Sequence, residues 1–360
     1  VRSTELRALA TLAFVPRTLA RLLLPLAADG AGADFLLERA HEMSGPEEWW
    51  PGPQRIDEEI RALERTGAWI VPFGGHQYPE LLQHVHDPPL CLHVRGQLPG
   101  AGKTCVAIVG SRASKHNCLS FTLRMARELA EAHAPVVSGM ARGVDSAAHA
   151  GCLDGGERTV AVLGCGVDVC YPRDNRDLMK RILENGAVVS EHPMGTKPVA
   201  HHFPARNRII SGWCAGTVIV EAAQGGGGLI TARCASEQDR TVFAVPGAVW
   251  NPLSWGPNHL IRDGAVPVTC AEDILEELFG ISPPGQKPDS PVGDRLSWSE
   301  EVLLEFLDYD SALHVDDLAR LAGMRTSEAL PVLLQLEVMG LVLQLRGLRF
   351  LRAGGGGTRG

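Results

Sequence analysis

The chain has 360 residues, 45% of them apolar and 21% charged, and a formal net charge of −8. This is the composition of an ordinary soluble protein with room for two or three domains, and its overall acidity argues against a chain that binds nucleic acid along its whole length. The acidity is nevertheless uneven. Residues 1–102 carry 9 basic against 13 acidic side chains and residues 276–360 carry 8 against 13, whereas residues 103–275 carry 17 against 16. A local basic groove is therefore compatible with the central region, because binding follows local rather than total charge.

Residues 1–66 read as helices. Leu6, Leu9, Leu12, Leu19, Leu22, Leu23 and Leu26 fall at helical spacing, Phe35 to His41 starts another helix, and Ile56 to Arg65 is a further amphipathic stretch. The first apolar run, Leu6 to Val15, contains Arg7 and stops at Pro16-Arg17, so it fits neither a signal peptide nor a membrane span. The expected compartment is the cytoplasm, with no membrane insertion. Val1 in place of Met is compatible with an alternative start or a trimmed chain. From Trp69 to Arg95 the texture is short strands and turns, and Pro99-Gly-Ala-Gly102 has the composition of a hinge.

From residue 103 to 275 strands alternate with helices. Strands are expected near 105–109, 135–138, 159–163, 187–190, 217–221 and 241–245, with helices such as Leu119 to His133 and Leu178 to Glu184 between them. That order predicts a Rossmann-like, doubly wound and mainly parallel α/β sheet. GxGxxG does not follow the first strand, so a dinucleotide site is not expected. Residues 281–296 form a Pro/Gly/Ser linker. Beyond it, a capped helix at Ser299 to Leu307, a second at Val315 to Leu321 and a third reaching Gly340, with Pro331 in its first turn, precede a hairpin across Arg346-Gly347. Three helices and a hairpin make the winged-helix pattern over 297–352. The tail, 353–360, is expected to be disordered.

The chemistry-bearing residues gather at strand ends. Parallel sheets bind ligands beyond the carboxyl ends of their strands, where glycine admits close backbone approach and helix N-termini offer unpaired N–H groups to phosphate. Gly110-Ser111-Arg112 supplies a turn, a hydroxyl donor and a guanidinium that can grip phosphate; alternatively Arg112 caps a loop. In Ser138-Gly139-Met-Ala-Arg142-Gly-Val-Asp145, Asp145 is the expected helix cap, and Arg142 either enters the cleft or pairs with Asp145. Lys197, Phe203, Arg206, Asn207 and Arg208 lie in or just after a Pro-stiffened loop, 191–205, where spaced cations and an aromatic ring suit an unpaired polynucleotide. The bland alternative puts Phe203 in the core and both arginines on a solvated helix. Gly225 to Thr231, including Gly227 and Gly228, can cradle phosphate through main-chain N–H groups, with Glu221 just upstream as a base or an orienting group. There is no GxxxxGK[ST], HExxH, GxSxG or metal-type Cys/His spacing, and none of the nine cysteines forms a CxxC pair. Buried reduced thiols are expected, without a metal, a cofactor or a disulfide framework.

Taken together these stretches resemble the DNA-processing protein A (DprA/Smf) family. The matching segments are Val109-Gly-Ser-Arg112, Ser138 to His149, Leu163-Gly-Cys-Gly-Val-Asp168, Tyr171-Pro172, Phe203-Pro-Ala-Arg-Asn-Arg-Ile-Ile-Ser-Gly212, Leu229-Ile-Thr-Ala232, Phe243-Ala-Val-Pro-Gly247 and Asn258 to Ala265. The resemblance implies a binding protein rather than an enzyme: one that holds single-stranded DNA and loads the RecA recombinase onto it in transformation and recombination. It implies that Arg112, Arg173, Lys197 and Phe203 line the single-strand groove, that Arg206 and Arg208 border the same pocket, and that a homodimer forms with Leu260 and Ile261 at its interface. It also implies a helical, SAM-like N-terminal domain over 1–66, an extended Rossmann-like domain over 67–280 and the winged helix. The family's Ser-Gly-Ser before Leu-Ile-Thr-Ala is here Gly226-Gly-Gly228, which leaves only main-chain donors, and Val15 to Leu19 lacks the glycine hairpin of a DNA-gripping helical domain. A nucleoside-monophosphate phosphoribohydrolase on a related fold is the alternative; it would want a PGGxGT-type loop followed by a glutamate, an order that Gly225 to Thr231 lacks. A duplex reader working through the winged helix is the weakest reading, because that segment is acidic.

Overall fold

The computed structural model describes residues 3–44, 49–280, 297–309 and 311–353. The expected linker at 281–296 and all but the first residue of the expected tail lie outside them. By internal contacts the chain divides into two units, one holding residues 1–114 and 122–281, the other residues 115–121 and 282–360.

The larger unit opens with four helices, α1 (Ser3–Leu12), α2 (Arg17–Ala28), α3 (Ala33–Ser44) and α4 (Gly52–Thr66). Their leucines bury Leu9, Leu12, Leu19, Leu23, Leu36 and Leu63 in one core, which is continuous with Ala161, Leu163, Met179 and Val188 of the central domain. The helical segment is thus packed on the α/β domain rather than strung from it.

The chain then runs β1 (Trp69–Pro72), α5 (Glu80–Gln83), β2 (Cys91–Gly96), β3 (Val106–Val109), α6 (His116–Glu131), β4 (Val136–Ser138), α7 (Val144–Asp154), β5 (Thr159–Val162), α8 (Arg176–Glu184), β6 (Gly186–Ser190), α9 (His202–Trp213), β7 (Gly216–Ile219), α10 (Gly227–Glu237), β8 (Thr241–Ala244), α11 (Trp255–Arg262), β9 (Val266–Pro267) and α12 (Ala271–Phe279). The nine strands form one sheet in the order β1-β2-β6-β5-β4-β3-β7-β8-β9. From β6 to β9 every pairing is parallel, while β1 and β2 are added antiparallel at the β6 side. The central strands β3, β5 and β7 are buried at every position, as strands covered by helices on both faces must be. Starting at β3, the chain first winds outward through β4, β5 and β6, then returns to place β7 on the other flank of β3. The winding direction therefore reverses between β3 and β7, and a crevice opens there beyond the strand ends.

The smaller unit carries α13 (Trp298–Phe306), β10 (Leu313–His314), α14 (Val315–Leu321), α15 (Thr326–Val338), β11 (Val342–Leu345) and β12 (Arg349–Arg352). Ser297 and Glu300 cap α13 reciprocally. Its core gathers Leu303, Leu318, Leu333, Leu336, Val342 and Phe350, and its three-stranded sheet has the order β10-β12-β11. Pro331 sits inside α15 rather than in its first turn; the helix begins a residue after Arg325, whose backbone and side chain engage Glu328. Among the described residues no helix is long and apolar enough to cross a membrane.

Candidate functional site

A cleft of about 660 Å³ occupies the crevice between β3 and β7. One wall is the turn after β3, Gly110-Ser111-Arg112. The opposite wall is Glu221 to Ala223 after β7 and the glycine turn that starts α10, with Gly226, Gly227 and Gly228. Tyr171, Pro198 and the first two turns of α9, with Phe203, Arg206 and Asn207, complete it.

The turns after β3 and β4 fit together because of one glycine. Gly143 has φ of +80°, and a Cβ there would lie 2.4 Å from the Ser111 carbonyl oxygen; the Val144 N–H donates to that same oxygen at 3.2 Å. A side chain at 143 would push the two strand ends apart and shift Arg112, which follows Ser111 directly. Arg112 is exposed, and its guanidinium carbon lies 5.9 Å from the Phe203 ring centroid. Tyr171 stands on the same ring, with centroids 5.4 Å apart and planes inclined by 32°. A cation and two aromatic faces therefore share the mouth of the cleft. On the far side, Gly226 caps α10 without a side-chain hydrogen bond, so the helix N-terminus presents bare main-chain N–H groups and the positive end of its dipole.

Beneath the mouth lies a buried polar layer. Arg206 is 4% exposed. Its Nη1 donates to the carbonyls of Gly139, at 3.0 Å, and Val162, and its Nε donates to Asn207 Oδ1 at 3.2 Å. Burial lowers its pKa to about 10 against the opposing charge of Asp145, while burial raises that of Asp145 despite the nearby arginine. Gly139 is needed for close approach, since a Cβ would meet the Arg206 guanidinium at 2.5 Å.

The expected site residues thus separate. Gly110, Ser111, Arg112, Phe203, Arg206, Asn207, Gly227, Gly228 and Thr231 line the one cleft. Gly139 serves it from behind, as the acceptor for Arg206. Arg173 and Lys197 are not part of this lining; both are exposed, and they follow Tyr171-Pro172 and precede Pro198 in the chain. Phe203 lies in the first turn of α9, not in a loop, because α9 begins at His202.

Four expectations fail. Arg208 does not border this cleft. It points to the other side of α9, where it lines a separate cavity with Arg17, Glu191 and His192. There it is held by Glu191 Oε2 at 2.6 Å and Asp87 Oδ2 at 3.1 Å. Neither does Arg206 offer a free charge at the surface, and both arginines of α9 are buried rather than solvated. Arg142 neither enters the cleft nor pairs with Asp145; its guanidinium is 2.6 Å from exposed Asp174. Asp145 itself does not cap α7. It lies one residue inside the helix, behind Gly143 and Val144, and accepts the Ala141 N–H at 3.2 Å.

Tyr171 was legible only as part of a motif; its contact with Phe203 pairs residues 32 positions apart, which no local periodicity encodes. Leu260 and Ile261 lie on α11, both half-buried, and Leu260 packs toward the central core. Among the described residues no group of His, Cys, Asp and Glu is arranged to hold a metal ion. None of the nine cysteines is joined in a disulfide, and burial pushes the thiols of Cys91, Cys105 and Cys152 up to about 12, which keeps them protonated and unreactive at neutral pH.

Comparison with known proteins adds a family to this geometry. Residues 69–279 match the family model described as DNA recombination-mediator protein A, and residues 287–347 match the DprA winged helix domain. Protein Smf of Escherichia coli is 38% identical over 300 residues, covering 81% of this chain and 79% of that one. The putative DNA processing protein DprA of Mycobacterium tuberculosis is 38% identical over 322 residues, covering 84% and 82%. Among solved structures, DNA processing protein A of Streptococcus pneumoniae superposes with a TM-score of 0.64 at 33% identity, covering 75% of this chain and 96% of that one. DNA processing protein A of Helicobacter pylori, described for its single-stranded DNA binding mode, superposes with a TM-score of 0.53 at 27% identity, covering 59% and 96%.

Proposed function

The chain belongs to the DNA recombination-mediator protein A family, and from that premise we propose that its β3–β7 cleft binds single-stranded DNA and delivers it to a RecA-type recombinase. The observation that carries this reading is the shared mouth of the cleft, where the Arg112 guanidinium and the Tyr171 ring both meet the ring of Phe203. An unpaired base exposes a π-face that stacks on an aromatic ring, while the phosphate beside it seeks a guanidinium and main-chain N–H groups. Duplex DNA hides those faces. Exposed Lys197 and Arg173, close in the chain to the lining residues Pro198 and Tyr171, suit the neighbouring phosphates of a strand rather than one mononucleotide. The Helicobacter pylori relative, whose structure concerns single-stranded DNA, points the same way.

On this reading the cleft holds its ligand without cutting it. Recombinase loading and a homodimer built on α11, with Leu260 and Ile261, complete the proposal. An oligonucleotide titration tests it: Arg112→Ala and Lys197→Ala weaken binding of a single strand while the melting temperature stays unchanged. Unaltered affinity in both variants rejects the cleft as the binding site.

A further inference from the structure

The segment that leads into α9 is gripped by the N-terminal helices. At Met194, which is 2% exposed, both main-chain polar groups are taken by α4. The N–H donates to Glu59 Oε1 at 3.0 Å and to Oε2 at 3.1 Å. The carbonyl accepts from Arg55 Nη2 at 3.1 Å. Arg55 and Glu59 are four residues apart on the helix, so they reach the same residue from one face. Glu59 Oε1 also meets His93 Nε2 of β2 at 2.8 Å, and both of these side chains are fully buried.

A carboxyl group wholly removed from water is costly unless donors surround it. Ile56, Ala62 and Leu63 supply the apolar packing of α4, and an apolar side chain at 59 would extend that packing without the cost. What Glu59 adds is a hydrogen-bonded seat for Met194, and a satisfied buried network holds the chain in one arrangement. The residues that follow are held from another side. Gly195 N–H donates to Asp168 Oδ1 at 2.8 Å, and Gly166 N–H donates to Thr196 O at 3.0 Å. Lys197 comes next, then Pro198 and Ala200 in the lining of the cleft. Among the described residues of 1–66, none lines that cleft.

Resting on the reading of this cleft as a single-strand site, we propose that Glu59 and Arg55 are positioning residues for it. By clamping Met194 they set the course of residues 195–200, and so the place where Lys197 meets a phosphate and where Pro198 walls the cleft. The N-terminal helices thereby contribute to strand binding through the main chain of one loop, without touching DNA. Loss of either clamp residue lets Lys197 drift from the strand. Affinity then falls although every side chain of the cleft is unaltered, because a binding group acts only as well as its supporting contacts hold it.

The test is a double-mutant cycle on the full chain, read by fluorescence anisotropy with a single-stranded oligonucleotide. Arg55→Ala and Lys197→Ala are measured singly and together; the Arg55 side chain is 42% exposed, so its removal leaves the core intact. Arg55→Ala weakens binding by about threefold or more, and that loss disappears once Lys197 is already Ala. Removal of a remote positive charge, or general destabilisation, would weaken binding by the same factor in both backgrounds. That outcome overturns the proposal, and so does unchanged affinity in Arg55→Ala. Glu59 gives a second arm. Glu59→Ala weakens binding, whereas Glu59→Gln restores it: the carboxamide oxygen still accepts from Met194, and its N–H₂ donates to His93 Nε2, which accepts in the other tautomer. Equal affinities in these two variants overturn the role of Glu59. The Arg55 cycle stands even if Glu59→Ala fails to fold. Arg112→Ala, run alongside, separates the two levels: if it leaves affinity unchanged, the cleft reading itself has failed and the clamp with it.

Discussion

The guanidinium of Arg112, from the turn after β3, lies 5.9 Å from the Phe203 ring, at the start of α9. The pair joins a phosphate-type donor to a base-type platform at one point, and it gives the two halves of the site different signatures. Phe203→Ala removes the platform and lowers single-strand affinity by about 1–3 kcal/mol with little effect on the salt slope. Arg112→Ala lowers affinity and also reduces the logarithmic salt slope by about 1. Titrations of both variants at several salt concentrations check this; identical salt slopes in the two would dissolve the division of labour.

Arg206 and Arg208, two residues apart on α9, are expected to act on stability instead of binding chemistry. Each satisfies buried acceptors: Gly139, Val162 and Asn207 for the first, Asp87 and Glu191 for the second. Replacement of either by Ala leaves buried polar groups alone and costs about 3 kcal/mol or more. Urea unfolding measures it, and a loss below about 1 kcal/mol would show that these networks are solvated.

Asp87 also holds Arg17 and Arg21 of α2, and the Arg21 contact helps keep its carboxyl well below the usual range against the effect of burial. The N-terminal helices thus spend two of their arginines on the central domain. Asp87→Asn lowers the overall stability and loosens the first 66 residues, which limited proteolysis followed by mass measurement would detect as early cleavage there.

Acid sensitivity should begin near neutrality. Burial lowers the pKa of His149 to about 3 and that of His192 to about 4. His149 Nδ1 meets Thr159 Oγ1 at 2.7 Å, and the Thr159 hydroxyl donates to Val136 O, so the imidazole is the Nδ1–H donor and neutral. Below the unfolded-state value of about 6.5 the unfolded chain takes up these protons and the folded chain does not. Stability is therefore full above that pH and falls as pH drops toward 4, with a limiting slope of about 1.4 kcal/mol per pH unit for each histidine. Chemical denaturation at pH 7, 6 and 5 follows the loss, and His149→Leu flattens it. An unchanged slope in that variant would remove His149 from the account.

Much of the central domain is legible from the sequence because its physics is local. Strands expected at 105–109, 135–138, 159–163, 187–190, 217–221 and 241–245 appear within about two residues, since fully apolar runs bounded by glycine turns have few other uses. The strand-end turns, too, gather into one cleft. What the sequence hides is pairing over distance. The antiparallel addition of β1 and β2 to β6 depends on a register some 95 residues apart, as in His93 opposite Ser190. Arg206 and Arg208 read as cations bordering the binding pocket, yet their partners Val162, Asp87 and Glu191 lie on other elements, and nothing in the local pattern of α9 reveals them. Arg142 and Asp174 are separated in the same way.

Removal of residues 290–360 should spare the binding site, because all of the cleft's lining belongs to the larger unit. The shortened chain is expected to bind a single-stranded oligonucleotide within about threefold of the full chain, against the tenfold that 1.4 kcal/mol represents. A larger loss would bring the winged helix into the site.

The most direct test of the central claim is a salt-dependent titration of the full chain with single-stranded and duplex oligonucleotides of the same sequence, in parallel with Arg112→Ala. The account predicts tighter binding of the single strand, affinity that falls as salt rises, and a shallower salt dependence in the variant. Equal binding of duplex and single strand, or a titration that Arg112→Ala leaves untouched, would contradict it.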